Sequence, residues 1–228
     1  MELCNNNFMV RKKMFMRKLE SAKDNGEVDE DIIELLELFN ELPFLYTTSS
    51  CSGRIMLIDI PKSQRKEESR RLVRWHRPVR FDELWELVRN YMPQGVLWFK
   101  QEAFIVAFAV CNMAWASYFI RLARLLGFKE SGIRSINLRA GHIIMDITST
   151  EKMHIPIAVA GKGLLISEEY AQDMLNIANK LLLRTKSRLV LLTNVIKEIV
   201  KRVGAKEINE PKEIGFKFID PIMQKFRK

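Results

Sequence analysis

The chain has 228 residues, with Lys+Arg 37 against Asp+Glu 28, a formal net charge of +9, an apolar share of 47%, Gly 10 and Pro 7. A chain of that length buries roughly 70–75% of the surface exposed when unfolded, so it needs no metal or disulfide for stability, and the composition excludes disordered, collagen-like and low-complexity classes. The cationic excess favours a polyanion such as nucleic acid as partner, because clustered Lys and Arg release condensed counterions from phosphates. The three cysteines, Cys4, Cys51 and Cys111, match no C-x-x-C pattern, and only His76, His142 and His154 could assist them; the expectation is a reduced, metal-free, cytoplasmic protein.

The first thirty residues carry Arg11, Lys12, Lys13, Arg17 and Lys18 without an apolar core of the kind a signal peptide needs. Phe8 to Lys23 reads as a basic amphipathic helix stopping near Asn25-Gly26, and Asp29 reads as the cap of a second helix with Ile32, Leu35, Leu36 and Phe39 on one face. The period then falls towards two. Tyr46 to Ser49 and Arg54 to Ile60 read as strands joined at Ser50-Cys51-Ser52-Gly53 by a hairpin or tight connection, the second strand apolar on both faces and therefore central. A charged loop over Pro61 to Ser69, a strand near Leu72 to Val79 and a helix over Phe81 to Tyr91 follow. Val96 to Lys100 and Phe104 to Val110 are strands. The uncharged run from Phe104 to Ile120 is short of the ~20 residues of a spanning helix, and reads as a strand followed by a helix capped by Asn112 and closed at Gly127.

Ile133 to Arg139 and His142 to Thr148 flank Ala140-Gly141 as a hairpin, and Met153 to Val159 adds a strand. Ser167 then caps a long helix towards Arg202, roughly 50 Å at 1.5 Å per residue, with a break at Thr185 or an oligomer interface as the two ways to accommodate that length. The tail after Gly204, with Pro211 and Pro221, reads as partly irregular. Strands outnumber βαβ crossovers, so the fold class is α+β with a mostly antiparallel or mixed sheet, flanking helices, a hint of internal duplication and a single domain. The absence of G-x-G-x-x-G and of G-x-x-x-x-G-K-[ST] disfavours a Rossmann fold.

The most unusual run is Thr47-Thr48-Ser49-Ser50-Cys51-Ser52-Gly53-Arg54, where hydroxyls, a thiol, a glycine and an arginine share one connection. Such donors can cradle a carboxylate or phosphate, and the same residue types also simply make turns. A nucleophilic role for Cys51 would need a His or a helix N-terminus to lower the thiol pKa, and its sequence neighbours supply neither. Between Lys62 and Arg80, Arg70, Arg71, Arg74 and Arg77 alternate with Trp75 and His76; basic plus aromatic is how a phosphate backbone is held while a base stacks, and a solvated strand edge gives the same pattern.

The run Phe44 to Arg54 (FLYTTSSCSGR) with the strand IMLID, preceded by Val28-Asp29-Glu30-Asp31 and its helix, resembles the wybutosine-synthesis tRNA N4-methyltransferase family of archaea and eukaryotes. The resemblance continues through Trp75-His76, Gly127-Phe128-Lys129-Glu130-Ser131-Gly132-Ile133, the strand at Ile155 to Ile157, Glu168-Glu169-Tyr170, Asn176-Ile177-Ala178-Asn179-Lys180 and Arg188, covering about Val28 to Leu192. It implies a non-Rossmann, S-adenosylmethionine-dependent enzyme that methylates N4 of 7-aminocarboxypropyl-demethylwyosine, the modified guanosine 3′ of the anticodon in tRNA-Phe.

On that basis Ser49, Ser50, Cys51, Ser52, Gly53, Arg54, Ser131, Tyr170, Asn176, Asn179 and Lys180 are expected to bind cofactor or substrate. Trp75 with Arg70, Arg71, Arg74 and Arg77 would hold RNA, and His76 would orient the base or accept a proton. The competing readings are a non-enzymatic basic tRNA-binding module, with affinity steep in salt and no cofactor, and an enzyme that uses Cys51.

Overall fold

The structure is a computed structural model that describes residues 4–137, 139–205, 208 and 210–226. In chain order its elements are α1 (Asn6–Asp24), α2 (Ile33–Glu41), β1 (Leu45–Cys51), β2 (Arg54–Ile60), β3 (Arg70–Trp75), α3 (Phe81–Val88), β4 (Val96–Glu102), β5 (Ile105–Val110), α4 (Met113–Leu125), β6 (Gly132–Asn137), β7 (His142–Thr148), β8 (Met153–Val159), β9 (Gly163–Leu164), α5 (Glu168–Ala205) and α6 (Ile219–Phe226). Every strand pairing among the described residues is antiparallel, in two sheets ordered β1-β5-β7-β6 and β3-β2-β4-β8-β9. The α+β class without a Rossmann layout is therefore what the chain adopts.

The chain gathers into two compact units, the first made of residues 1–52, 104–150 and 187–228 and the second of residues 53–103 and 151–186. In the first unit, the four-stranded sheet and helices α1, α2 and α4 enclose an aromatic core of Phe39, Phe44, Phe108, Trp115 and Phe119, each with no exposed surface. Phe44 and Trp115 stack with ring centroids 3.4 Å apart. In the second unit, alternate residues of β2 and β4 (Ile55, Leu57, Leu97, Phe99) pack on α3 and on the first half of α5 through Leu84, Val88, Met174, Ala178 and Leu182. Period-two strands meeting period-3.6 helices produce that division between a core face and an outer face.

Several sequence expectations are met. Asn112 caps α4 by accepting the Trp115 N–H at 3.1 Å, Gly127 ends it at φ +82°, and Ser167 Oγ accepts the Tyr170 N–H at 3.1 Å at the start of α5. Strand β2 lies between β3 and β4, as its apolar faces require. Of the two ways to accommodate the long helix, a break near Thr185 is not taken, since α5 runs from Glu168 to Ala205.

Others are corrected. Strands β1 and β2 are not a hairpin: β1 pairs with β5 and β2 with β3 and β4, so consecutive strands enter different sheets. The Asp29 carboxylate does not cap the helical turn at Glu30–Ile32; it accepts the Ser52 backbone N–H at 2.8 Å. Strand β3 ends at Trp75, before the Pro78 that a strand reaching Val79 would have to include. In the β6–β7 hairpin, Asn137 pairs with His142, so the link is longer than Ala140-Gly141, and Leu138, which the sequence reading put in the first strand, lies outside the described residues. The tail holds a helical turn at Pro211–Glu213 and α6.

The expectation of a fully reduced chain is also corrected. Cys4 and Cys111 form a disulfide across a sequence separation of 107. No local spacing rule finds such a pair, because only the packing of the N-terminal segment beside the end of β5 brings the two together. In the chain-entropy account a loop of this size stabilises the fold by about 4–5 kcal/mol. Cys111→Ser is expected to lower the midpoint of thermal unfolding, followed by circular dichroism without reductant, by about 10–15 °C; an unchanged midpoint would show that the bridge contributes nothing.

A second tie of the N-terminal helix is Lys12. Its ammonium group is buried and donates to the carbonyls of Leu42 and, at 2.8 Å, Leu45, where α2 passes into β1. Burial pushes its pKa down to about 8 from 10.5. Between those values the unfolded chain binds the extra proton, so the penalty is full below pH 8 and relieved as pH rises. Urea unfolding is expected to show about 2 kcal/mol more stability at about pH 9.5 than at about pH 7.5 from this group, and Lys12→Met should remove that slope.

Candidate functional site

The serine-rich run forms the second half of β1. Its direction is set by Asn40 at the end of α2, whose amide donates to the Leu36 carbonyl at 2.8 Å and to Thr47 Oγ1 at 2.7 Å, while its carbonyl oxygen accepts the Thr47 N–H at 3.0 Å. The β1–β5 register slips between Thr47 and Ser49, next to this clamp, and then resumes with Ser49, Ser50 and Cys51 opposite Ala107, Val106 and Ile105. A bulge of this kind re-aims the side chains that follow it. Here they border a cavity of about 410 Å3 within the first unit, lined by Phe15, Leu19, Lys18, Glu27, Thr48, Ser49 and Ser50 among others. The lining thus combines aromatic and aliphatic residues, one cation, one carboxylate and hydroxyl-bearing residues of β1.

Beyond Cys51, Ser52 is fully buried with its N–H held by Asp29. Gly53 is buried at φ +88°, a conformation that a side chain strains. The boundary between the two units falls between these residues. Arg54 opens β2 and donates from Nε to Glu102, its cross-strand neighbour, at 2.7 Å. Ser131, expected near the ligand, accepts the Thr148 N–H at 3.1 Å and fastens the start of β6 to the end of β7.

In the second unit, Arg70, Arg71 and Arg74 stand exposed on β3, an edge strand. Trp75, expected to stack on a base, is half-buried against the unit's own core. Arg77 is engaged by Glu83 at 2.6 Å, which raises the guanidinium pKa and holds the Glu83 carboxyl down at about 2, with the Arg80 N–H as a further donor. His76 follows β3 and is half-buried. On α5 the family-like residues divide. Asn179 exchanges two hydrogen bonds with the Val79 backbone, at 2.8 and 2.9 Å, and secures the approach to α3. Tyr170, Asn176 and Lys180 are exposed, Asn176 accepting from Gln172 at 3.3 Å.

Sequence reading missed Asn40, whose role depends on a bulge that no local pattern announces. It also missed a second cavity of about 530 Å3 in the second unit, bordered by Lys62, Gln64, Trp98, Lys100 and His154. The alternation Val96-Leu97-Trp98-Phe99-Lys100 carried that signal, since it turns Trp98 and Lys100 away from the core that holds Leu97 and Phe99.

Known proteins resemble most of this chain. A methyltransferase named tRNA(Phe) 7-((3-amino-3-carboxypropyl)-4-demethylwyosine(37)-N(4))-methyltransferase from Thermococcus sibiricus is 35% identical over 201 residues, covering 88% of this chain and all of the relative. An enzyme of the same name, numbered 1, from Pyrococcus furiosus is 37% identical over 190 residues, covering 83% of this chain and 95% of its own. Among solved structures, the PH1069 protein of Pyrococcus horikoshii superposes with a TM-score of 0.77 at 35% identity, covering 86% of this chain and 98% of that one. Among the described residues no helix is long and apolar enough to cross a membrane. The family described as Methyltransferase TYW3 matches residues 10–198, and with relatives of this identity and coverage the chain belongs to it.

Proposed function

We propose that this methyltransferase uses S-adenosylmethionine to methylate the N4 ring nitrogen of 7-aminocarboxypropyl-demethylwyosine in tRNA-Phe, and that it works in the cytoplasm, where that tRNA is. The observation that carries the reading is the hydroxyl-lined cavity beside β1, in a chain 35% identical to an enzyme named for that reaction.

The donor set suits the cofactor. A cavity of about 410 Å3 is within the range of small-molecule sites. Lys18 would face a carboxylate, Glu27 would accept from an ammonium group or ribose hydroxyls, Ser49 and Ser50 would donate to anionic oxygens, and Phe15 with Leu19 would cover an adenine ring. Bound there, the group supplies an electrophilic methyl on a sulfonium.

The rest of the chemistry falls to positioning and to one proton. Methyl transfer needs the attacking nitrogen held in line, so residues that hold the tRNA dominate the rate. Arg70, Arg71 and Arg74, exposed on one strand edge, would take backbone phosphates. N4 sheds a proton as it gains the methyl, and His76, half-buried at the end of that same strand, would accept it. Arg54, held by Glu102 across the strand pair, would face the substrate's carboxylate. The relatives' names lend nothing to a non-enzymatic RNA-binding module.

Calorimetric titration with S-adenosylmethionine tests the cofactor site. Ser50→Val, a substitution a strand tolerates, and Lys18→Glu should each weaken binding about 10-fold or more, whereas His76→Ala should bind the cofactor normally and turn over precursor tRNA about 100-fold more slowly. Wild-type affinity in both cavity variants would place the cofactor elsewhere.

A further inference from the structure

The outer face of the second unit's sheet has a composition that its core does not explain. Residues directly opposite in an antiparallel pair share a face, and the register therefore defines rows across four adjacent strands. One row runs Arg71, Ile58, Trp98, Pro156 and the next Arg74, Met56, Lys100, His154. The following pair on β2 and β4 is Arg54 and Glu102. Arg71, Arg74, His154 and Pro156 are exposed, and Trp98 and Lys100 are half-exposed. The Lys100 ammonium stands 5.9 Å from the Trp98 ring centroid.

The face is concave around the tryptophan. The cavity of about 530 Å3 is bounded by Trp98, Lys100 and His154 on one side and by Lys62 and Gln64 on the other. Its shape is held from behind: the buried Asp59 carboxylate accepts from the Gln94 N–H at 2.7 Å, the Gly95 N–H at 3.1 Å and the Tyr91 hydroxyl at 3.1 Å. Gly95 admits no side chain, since a Cβ would lie 2.0 Å from the Ile60 carbonyl oxygen. Gln64 adopts φ +56°, a costly conformation for a residue with a side chain, in a turn closed by its own N–H to the Pro61 carbonyl at 2.9 Å.

Charge selects the occupant. Arg71, Arg74, Lys62 and Lys100 are cations, and within these rows of described residues the one carboxylate, Glu102, is neutralised by Arg54 at 2.7 Å. Burial and the Lys100 ammonium lower the His154 pKa against a smaller opposing pull from Glu102, so the imidazole stands neutral at pH 7 with one donor and one acceptor. A ring for stacking, cations on neighbouring strands around it, and an amide and an imidazole able to read a base edge are the requirements of single-stranded nucleic acid, whereas an acidic peptide would leave the ring without a partner.

We propose that this face is an RNA-binding surface for unpaired nucleotides of the substrate tRNA, with a base stacked on Trp98 and its flanking phosphates on Lys62, Lys100, Arg71 and Arg74. The proposal rests on the tRNA reading above and adds to it a recognition surface separate from the cavity beside β1.

The test uses the full chain and an unmodified tRNA-Phe transcript, with affinity read by fluorescence anisotropy across a salt series. Trp98→Leu is expected to weaken binding about 10-fold or more, Trp98→Phe to restore most of it, and Lys100→Gln to lower the slope of log affinity against log salt by about one. S-adenosylmethionine affinity and the thermal midpoint should match wild type in all three, which separates lost RNA contact from lost fold. Wild-type RNA affinity in Trp98→Leu would overturn the surface while leaving the methyltransferase reading intact. Loss of RNA affinity in Trp98→Leu, in a wild-type chain that binds RNA but methylates no precursor tRNA, would keep the surface and remove that reading.

Discussion

The chain crosses from one sheet to the other at Ser52-Gly53, and most of the architecture follows from how that crossing is made. A buried backbone N–H must find a partner inside the protein, and the Ser52 N–H finds the Asp29 carboxylate at 2.8 Å. Gly53 then takes φ +88°, which turns the chain without the strain a side chain would add. Strand β1 is left to pair with β5 and strand β2 with β3 and β4. The run richest in hydroxyls therefore ends where the first unit ends, and Gly53, followed by the arginine, begins the second.

Within the first unit, the N-terminal helix is tied to the remainder by unlike means. A disulfide joins Cys4 to Cys111, the buried Lys12 ammonium bridges carbonyls at the end of α2 and the start of β1, and Phe8 packs on Tyr46 with ring centroids 5.0 Å apart. These ties position Phe15, Lys18 and Leu19, on the same helix, as one wall of the cavity beside β1. The opposite wall is set by Asn40. An amide that satisfies both the backbone and the side chain of Thr47 holds a bulge that the β1–β5 ladder alone would not favour.

The second unit separates its tasks by the two faces of one sheet. The inner face carries Leu57, Leu97 and Phe99 into the core with α3 and α5, and it also takes Trp75. The outer face carries Trp98 and the cations. Arginines that look equivalent in sequence are unequal in the fold: Arg77 is spent on Glu83, whereas Arg70, Arg71 and Arg74 stand exposed on the edge strand. Asn179 and Ser131 also have structural partners, their polar atoms securing backbone at Val79 and Thr148.

What the sequence determined by itself was local or carried by motif. Hydrophobic period located nearly every helix and strand, caps such as Asn112 and Ser167 and the stop at Gly127 were visible as residue types, and SSCSGR with its downstream companions identified the family. What only the tertiary structure decided was everything that joins residues distant in the chain. Strand partners, the Cys4–Cys111 bridge, the turning of Asp29 from a helix cap to Ser52, and the division of tryptophans between Trp75 against the core and Trp98 at the outer cavity all depend on which surfaces are buried together. Propensity and capping act over a few residues, whereas strand pairing and burial are settled by the competition of all apolar surfaces for one core, and that competition leaves no local signature.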